Sequence, residues 1–316
     1  MIATSMRRVA LITICSCLTF LSLSALVRAR PLPGAPRCPV FPPDSPWNQP
    51  VDHLPAAADS ARLIASIGLG APVHAGFGTA YDGGPDGIPY RVVSGITRWA
   101  PVKFHYASQS TGRYYPLSAG VPIEGGATSA GDRHVIVVER KTCTDYELFS
   151  AYPSAGGGDW TAGSGAIFNL RSNQLRPAGW TSADAAGLPI LPGLARYDEV
   201  AGGVIDHALR FTAPCTARRY VYPARHFATT CIGLAPMGMR VRLKASVDIS
   251  RLPRQARVIA QALKTYGMLL ADNGPSWFIS GAPSQHWKMD ALAALGHLSG
   301  RDFQVVNTRS LPQPGL

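Results

Sequence analysis

Residues 202–212 read Gly-Gly-Val-Ile-Asp-His-Ala-Leu-Arg-Phe-Thr. Two glycines free the backbone, and from there apolar and polar residues alternate, which is the period of a half-buried strand. Ile205, His207, Leu209 and Phe211 fall on one face, and Asp206, Ala208, Arg210 and Thr212 on the other. His207 is thereby placed among apolar side chains, where both ring nitrogens need partners because an unpaired buried polar group costs about 1–3 kcal/mol. Two roles meet that demand: a core histidine held by a backbone carbonyl, or a histidine lining a cleft.

Outward from this stretch the pattern is mostly strand. Residues 90–93, 102–106, 145–152, 166–170 and 219–222 read as strands, and 135–139 is so continuously apolar that it belongs at the centre of a sheet. A hairpin turning at Arg140–Lys141 would set His134 opposite Glu147. Residues 239–247 alternate, with Arg240, Arg242 and Lys244 on what reads as a solvated outer face. Residues 268–271 and 277–280 read as a strand and its returning partner across the turn at 272–274, and 303–306 as a last strand. Helices are predicted at 60–67, 290–298 and above all 253–266, where a proline opens the first turn and Gly267 ends an apolar stripe. The 32 glycines and 27 prolines are scattered, as many short strands require. The expected fold is mainly β, an antiparallel β-sandwich of jelly-roll type with a peripheral helix. An α+β arrangement is the alternative, because the region after residue 250 mixes both elements.

Residues 1–29 have the layout of a signal peptide: Arg7 and Arg8, an apolar run, then Val27-Arg28-Ala29 with small residues for cleavage. Residues 30–50 form a proline-rich arm in which Trp47 is expected to dock, and residues 51–316 a single β-rich domain. Four cysteines follow the leader, an even number suited to an oxidising compartment. Cys215 and Cys231 are the local pair, leaving Cys38 to tie the arm to Cys143. The formal charge of +11 falls to +8 without Arg7, Arg8 and Arg28, and the cations are scattered. No nucleic-acid motif is present. A secreted protein without a membrane span after cleavage is expected.

The stretches 131–134 (GDRH), 178–189 (AGWTSADAAGLP), 205–211 (IDHALRF) and 272–278 (DNGPSWF) resemble a family of exported bacterial proteins whose activity is not established. The resemblance covers most of the chain after the leader. It implies secretion and a single domain, and assigns no catalytic residue.

Gly-x-Ser-x-Gly and His-Glu-x-x-His are both absent. The candidate acids and bases are His74, His105, His134, His207, His226, Glu124, Glu147, Glu199, Asp132, Asp184 and Asp206. Strand-borne groups are held most rigidly, so His134, Glu147 and His207 lead. A glycoside hydrolase needs two carboxyl groups on the order of 5–10 Å apart, which Glu147 with Asp206 or Asp184 would supply. A polysaccharide lyase needs a base, a proton donor and a cation, for which His207, Tyr146 and Arg210 are candidates. A divalent metal, if any, would take His134, Glu147 and His207; no cofactor is required. The other class is a carbohydrate-binding or cell-surface module stacking sugars on Trp160 and Trp180. The expected partner in every case is a polysaccharide or cell-wall glycan. Two histidines and a buried carboxylate in one groove would favour the enzyme; an exposed tryptophan ledge without titratable neighbours would favour the module.

Overall fold

The structure is a computed structural model that describes residues 29–81, 83–95, 98–118, 120–156, 158–229 and 231–316. All but Ala29 of the expected leader lies outside the described residues. In chain order the strands begin with β1 (His74–Gly76), after helix α1 (Ser60–Ile67). The middle of the chain forms β2 (Tyr90–Val93), β3 (Ala100–Phe104), β4 (Tyr114–Tyr115), β5 (Val135–Glu139), β6 (Thr144–Phe149), β7 (Tyr152–Pro153), β8 (Trp160–Ala162) and β9 (Ser164–Asn169). Helix α2 (Tyr197–Gly202) leads to β10 (Leu209–Ala213) and β11 (Arg240–Leu243), then α3 (Arg254–Thr265), β12 (Met268–Asn273), β13 (Phe278–Ser280), α4 (Met289–Ala293) and β14 (Phe303–Val305).

Three mixed sheets result among the described residues. The largest runs β1-β13-β10-β12-β11-β14, and two four-stranded sheets run β2-β5-β6-β9 and β4-β3-β8-β7. Most pairings are antiparallel, but β1–β13, β10–β12, β2–β5 and β3–β8 are parallel. The chain is therefore mainly β, with mixed sheets in place of a wholly antiparallel arrangement. The expected pairing of 268–271 with 277–280 is corrected: β10 lies between β12 and β13. The strand at Leu209–Phe211 takes the place between them, because a central position buries Leu209 and Phe211 on one face and the Arg210 side chain on the other.

The strand read over 202–212 begins only at Leu209, since Tyr197–Gly202 closes a helix and Gly203, left-handed at φ 88°, caps it. The segment between α2 and β10 crosses beneath the arm, where the Ala208 N–H donates to the Trp47 carbonyl at 2.7 Å. Trp47 is buried as expected. Arg240 and Arg242, expected on a solvated face, are buried as well. Arg240 donates to the carbonyls of Tyr266 (2.6 Å), Pro46 (2.6 Å) and Gln49 (3.1 Å), and Arg242 to that of Val51. The arm covers that face, and its Pro46 and Gln49 carbonyls, with those of Val51 and Tyr266 next to them, are what hold the guanidinium groups. Residues 219–222, read as a strand, make only an isolated bridge at Tyr220.

Helix α3 packs Ala256, Ile259, Ala260 and Leu263 onto the largest sheet, and Gly267 ends it. At φ 65° a side chain there would be strained and its Cβ would meet the Val241 carbonyl, so only glycine serves. The two smaller sheets enclose a second core between them: Val135, Val137 and Leu148 from one meet Val102, Trp160 and Ala162 from the other. The opposite face of β5 (Ile136, Val138) packs under the arm and residues 190–194. Burial on both sides explains the unbroken apolar run of β5. Both expected disulfides are present, Cys38–Cys143 and Cys215–Cys231. Among the described residues no helix is long and apolar enough to cross a membrane.

Candidate functional site: a carboxylate-lined cleft

After β9 the chain folds into a loop whose turn is tied from within. Ser182 Oγ accepts the Asp184 N–H (2.9 Å) and donates to the Leu188 carbonyl (2.5 Å). From outside, Ser164 Oγ donates to the Ser182 carbonyl (2.6 Å) and Gln109 Oε1 accepts the Thr181 N–H (2.9 Å). So held, the loop presents Asp184 to β10. Arg210, buried on the sheet face away from the α3 core, forks onto it: Nε and Nη2 donate to Oδ2 and Oδ1 at 3.2 and 3.0 Å. The same Nη2 lies 3.4 Å from Asp272 Oδ2, and Nη1 donates to Ser280 Oγ at 2.6 Å. Two carboxyl groups thus share one guanidinium nitrogen.

They differ in access. Asp184 is fully buried, whereas the Asp272 side chain is 21% exposed. Asp272 ends the apolar run of β12, and its Oδ1 takes the Asn273 N–H at 2.7 Å. Burial pushes the Asp272 carboxyl up, the Asp184 charge adds to this, and Arg210 offsets only part, leaving it at about 7. Burial also raises Asp184, against the opposing pull of Arg210. One carboxyl is thereby biased to hold its proton at neutral pH beside one gripped by a cation.

Behind the loop, buried His134 donates from Nδ1 to Glu124 Oε2 (2.6 Å) and from Nε2 to the Ala183 carbonyl (3.0 Å). Burial alone pulls the imidazole down, but the charge and hydrogen bond of Glu124 outweigh it and hold it near 9. The ring is then a cation with two acceptors, fixing the residue next to Asp184. In front is a cavity of about 460 Å³ whose wall includes Tyr106, Asp132, Phe149, Asp184, His226 and Asp272. His226 donates from Nδ1 to the Ala185 carbonyl (2.8 Å), and its Nε2 has no hydrogen-bond partner among the described residues.

Of the residues expected to carry function, Asp184, Asp132 and His226 line this cleft, and His134, with Glu124, and Arg210 stand at it as supports for its carboxylates. Glu147, His207, Asp206, Trp160 and Trp180 do not line it. Glu147 is fully buried and accepts the N–H groups of Ile190 (2.8 Å) and Leu191 (2.9 Å). The hairpin pairs Ile136 with Glu147, so the expected opposition of His134 and Glu147 is corrected by two residues. Beside Glu147, no donor reaches either Asp145 oxygen, and burial followed by the Glu147 charge pushes Asp145 well above the usual carboxylate range. Burial raises Glu147 as well, so the two carboxyls hold a proton between them. His207 is a core histidine: Nδ1 meets the Ala208 carbonyl (2.8 Å) and Nε2 meets Glu199 (3.1 Å), which also pairs with buried Arg196 (2.5 Å). Asp206 is half-buried, its carboxyl raised by burial and then by Glu199, away from the cleft. The metal set His134, Glu147 and His207 does not converge, and no other group of three or more ligands does among the described residues. Trp160 is buried in the core between the small sheets, and Trp180 is half-buried with the Arg176 guanidinium 5.6 Å from its ring. Neither makes a ledge.

Asp272 is the residue the sequence reading missed, because Asp-Asn-Gly there read as a turn. The available signal was a carboxylate closing an otherwise apolar, buried strand. Comparisons of the chain with protein-family models, curated proteins and solved structures give no match.

Proposed function

We propose that the chain is an exported enzyme that hydrolyses glycosidic bonds of a neutral polysaccharide in this cleft. The observation that carries the reading is Asp272: a partly exposed carboxyl pushed up to about 7, beside a second carboxylate in an open cavity. Pairs of acids whose environments drive their proton affinities apart are the basis of acid–base assignment. Asp272 donates its proton to the departing glycosidic oxygen. A water attacks the anomeric carbon and passes its proton to Asp132, an exposed carboxylate on the cleft wall whose charge also reaches Asp272. Arg210 holds Asp272, and Asp184 offsets the Arg210 charge that would otherwise oppose the developing sugar cation.

A lyase fits less well. It needs a cation to neutralise a uronate, and Arg210 is already taken by two carboxylates. Asp132, exposed on the wall, would repel an acidic sugar. Titratable groups in the groove, with no tryptophan ledge, support an enzyme over a binding module. The scaffold we propose is a sandwich formed by the two four-stranded sheets, with the cleft where the largest sheet meets them. Two disulfides and the expected leader support export.

The test is release of reducing ends from a panel of neutral polysaccharides (xyloglucan, galactomannan, mixed-linkage glucan, arabinan and pullulan). Asp272→Asn is expected to lower turnover about a hundredfold or more. No release from any of them, or release undiminished in the variant, would overturn the reading.

A further inference from the structure

The cleft does not end at its own wall. A second hollow of about 560 Å³ shares Tyr106 and Phe149 with it and opens along the sheet β4-β3-β8-β7. The register of that sheet sets Lys103, Thr161 and Tyr152 side by side across three strands. In a pleated sheet such cross-strand partners share a face, and here it is the one turned to solvent, while Val102, Trp160 and Ala162 point into the core.

Two exposed tyrosines stand on this surface, Tyr106 at 49% and Tyr152 at 46%. Tyr152 is braced from behind. The Arg133 guanidinium lies 4.2 Å from its ring centroid, and Arg133 is itself only 2% exposed. Its donors reach the carbonyls of Ala151 (3.1 Å), Ala127 (2.9 Å) and Ser129 (2.9 Å), with no carboxylate among them. A buried, fully anchored cation thus holds one face of an exposed ring and leaves the other open. Tyr106 is set edge-on by His105 (4.7 Å), and its backbone N–H is fixed to the Gly163 carbonyl at 2.8 Å. Gly163 keeps the passage low: a Cβ there would come within 2.7 Å of the Phe149 ring.

We infer that this face is a sugar-binding ledge, on which a neutral polysaccharide stacks on Tyr152 and Tyr106 while Lys103 and Thr161 bond its hydroxyls, guiding the chain into the cleft. The chemistry selects the ligand. Pyranose rings present flat C–H faces to aromatic rings and hydroxyl edges to polar side chains, and a braced ring loses little freedom on binding. The inference rests on the hydrolase reading for the direction in which the chain runs, and it makes the substrate a polymer and not a disaccharide.

The experiment is affinity electrophoresis of the full chain through gels containing each of the five neutral polysaccharides, run in the Asp272→Asn background so that turnover plays no part. Retardation by at least one is expected. Tyr152→Ala should weaken it about tenfold, whereas Tyr152→Phe, which keeps the ring, should stay within about twofold. Arg133→Met should weaken it too, through the loss of the brace. Equal retardation in Tyr152→Ala, failure of Tyr152→Phe to restore binding, or no retardation by any of the five would overturn the ledge. Retardation that responds to Tyr152 in a chain that releases no reducing ends would leave the ledge standing and refute hydrolysis alone. Release of reducing ends with Tyr152-independent binding would do the reverse.

Discussion

Burial and the Asp184 charge keep a proton on Asp272 up to about pH 7, and both activity and stability inherit that value. As a proton donor, Asp272 gives the pH profile of kcat/KM a basic limb at about 7, which Asp272→Asn should erase. Its folded-state value lies above the unfolded one. The stability it contributes is therefore full below the ordinary aspartate range near pH 4 and lost as pH rises through about 7. Asp272→Asn should accordingly be more stable than the parent above pH 7 and level with it near pH 4, as read by urea denaturation at the two values. Glu147 and His207 should behave oppositely to catalytic residues. Glu147→Gln puts an amide NH2 where Oε2 now lies 2.9 Å from the Ile190 N–H, a donor against a donor, so it should lose about 1–3 kcal/mol of stability while retaining turnover. His207→Ala strands the Glu199–Arg196 pair in the core and should lose about 3 kcal/mol. At this scale the sequence was legible in part. Alternation put His207 among apolar residues, where it is, and the inventory of candidate acids and bases included Asp184 and Glu124. It could not show that Glu199 would meet His207, because α2 is too short to announce itself by periodicity.

Elements were more legible than their arrangement. Helix α1, β2 and β5 have the expected bounds, since each carries its period within one unbroken segment. Strands of two or three residues such as β4, β7 and β8 are too brief for any period to register. The parallel pairing of β10 with β12 joins segments more than fifty residues apart, and nothing local encodes it. Arg240 shows how such packing overrides a pattern. Its polar alternation is real, yet the arm supplies carbonyls instead of water. Arg240→Ala would leave three buried carbonyls without a donor. It is expected to cost about 3 kcal/mol by urea denaturation and to open residues 30–50 to limited proteolysis. Arg240→Lys, with a point charge in place of a fork, should fall between the two. Unchanged protease resistance in Arg240→Ala would show that Trp47 and the Cys38–Cys143 bridge hold the arm without it.

Across the whole molecule the same arm is tied a second time, covalently. Cys38–Cys143 closes a loop spanning 105 residues and joins the arm to the connection between β5 and β6, whereas Cys215–Cys231 closes one of 16. A cross-link stabilises chiefly by restricting the unfolded chain, and the restriction grows with the logarithm of loop length. On that basis the long bridge contributes about 4–5 kcal/mol and the short one about 3 kcal/mol. Their surroundings sharpen the difference. Cys38 and Cys143 are buried in the core under the arm, while Cys231 is exposed. The short bridge should therefore be reduced first under a graded thiol titration followed by mass analysis of trapped cysteines. The paired variant Cys38→Ser/Cys143→Ser should lose more stability than Cys215→Ser/Cys231→Ser in urea, and only the first should expose the arm to protease. Equal losses from the two would mean that residual structure already confines the unfolded chain between residues 38 and 143 as much as the long bridge does.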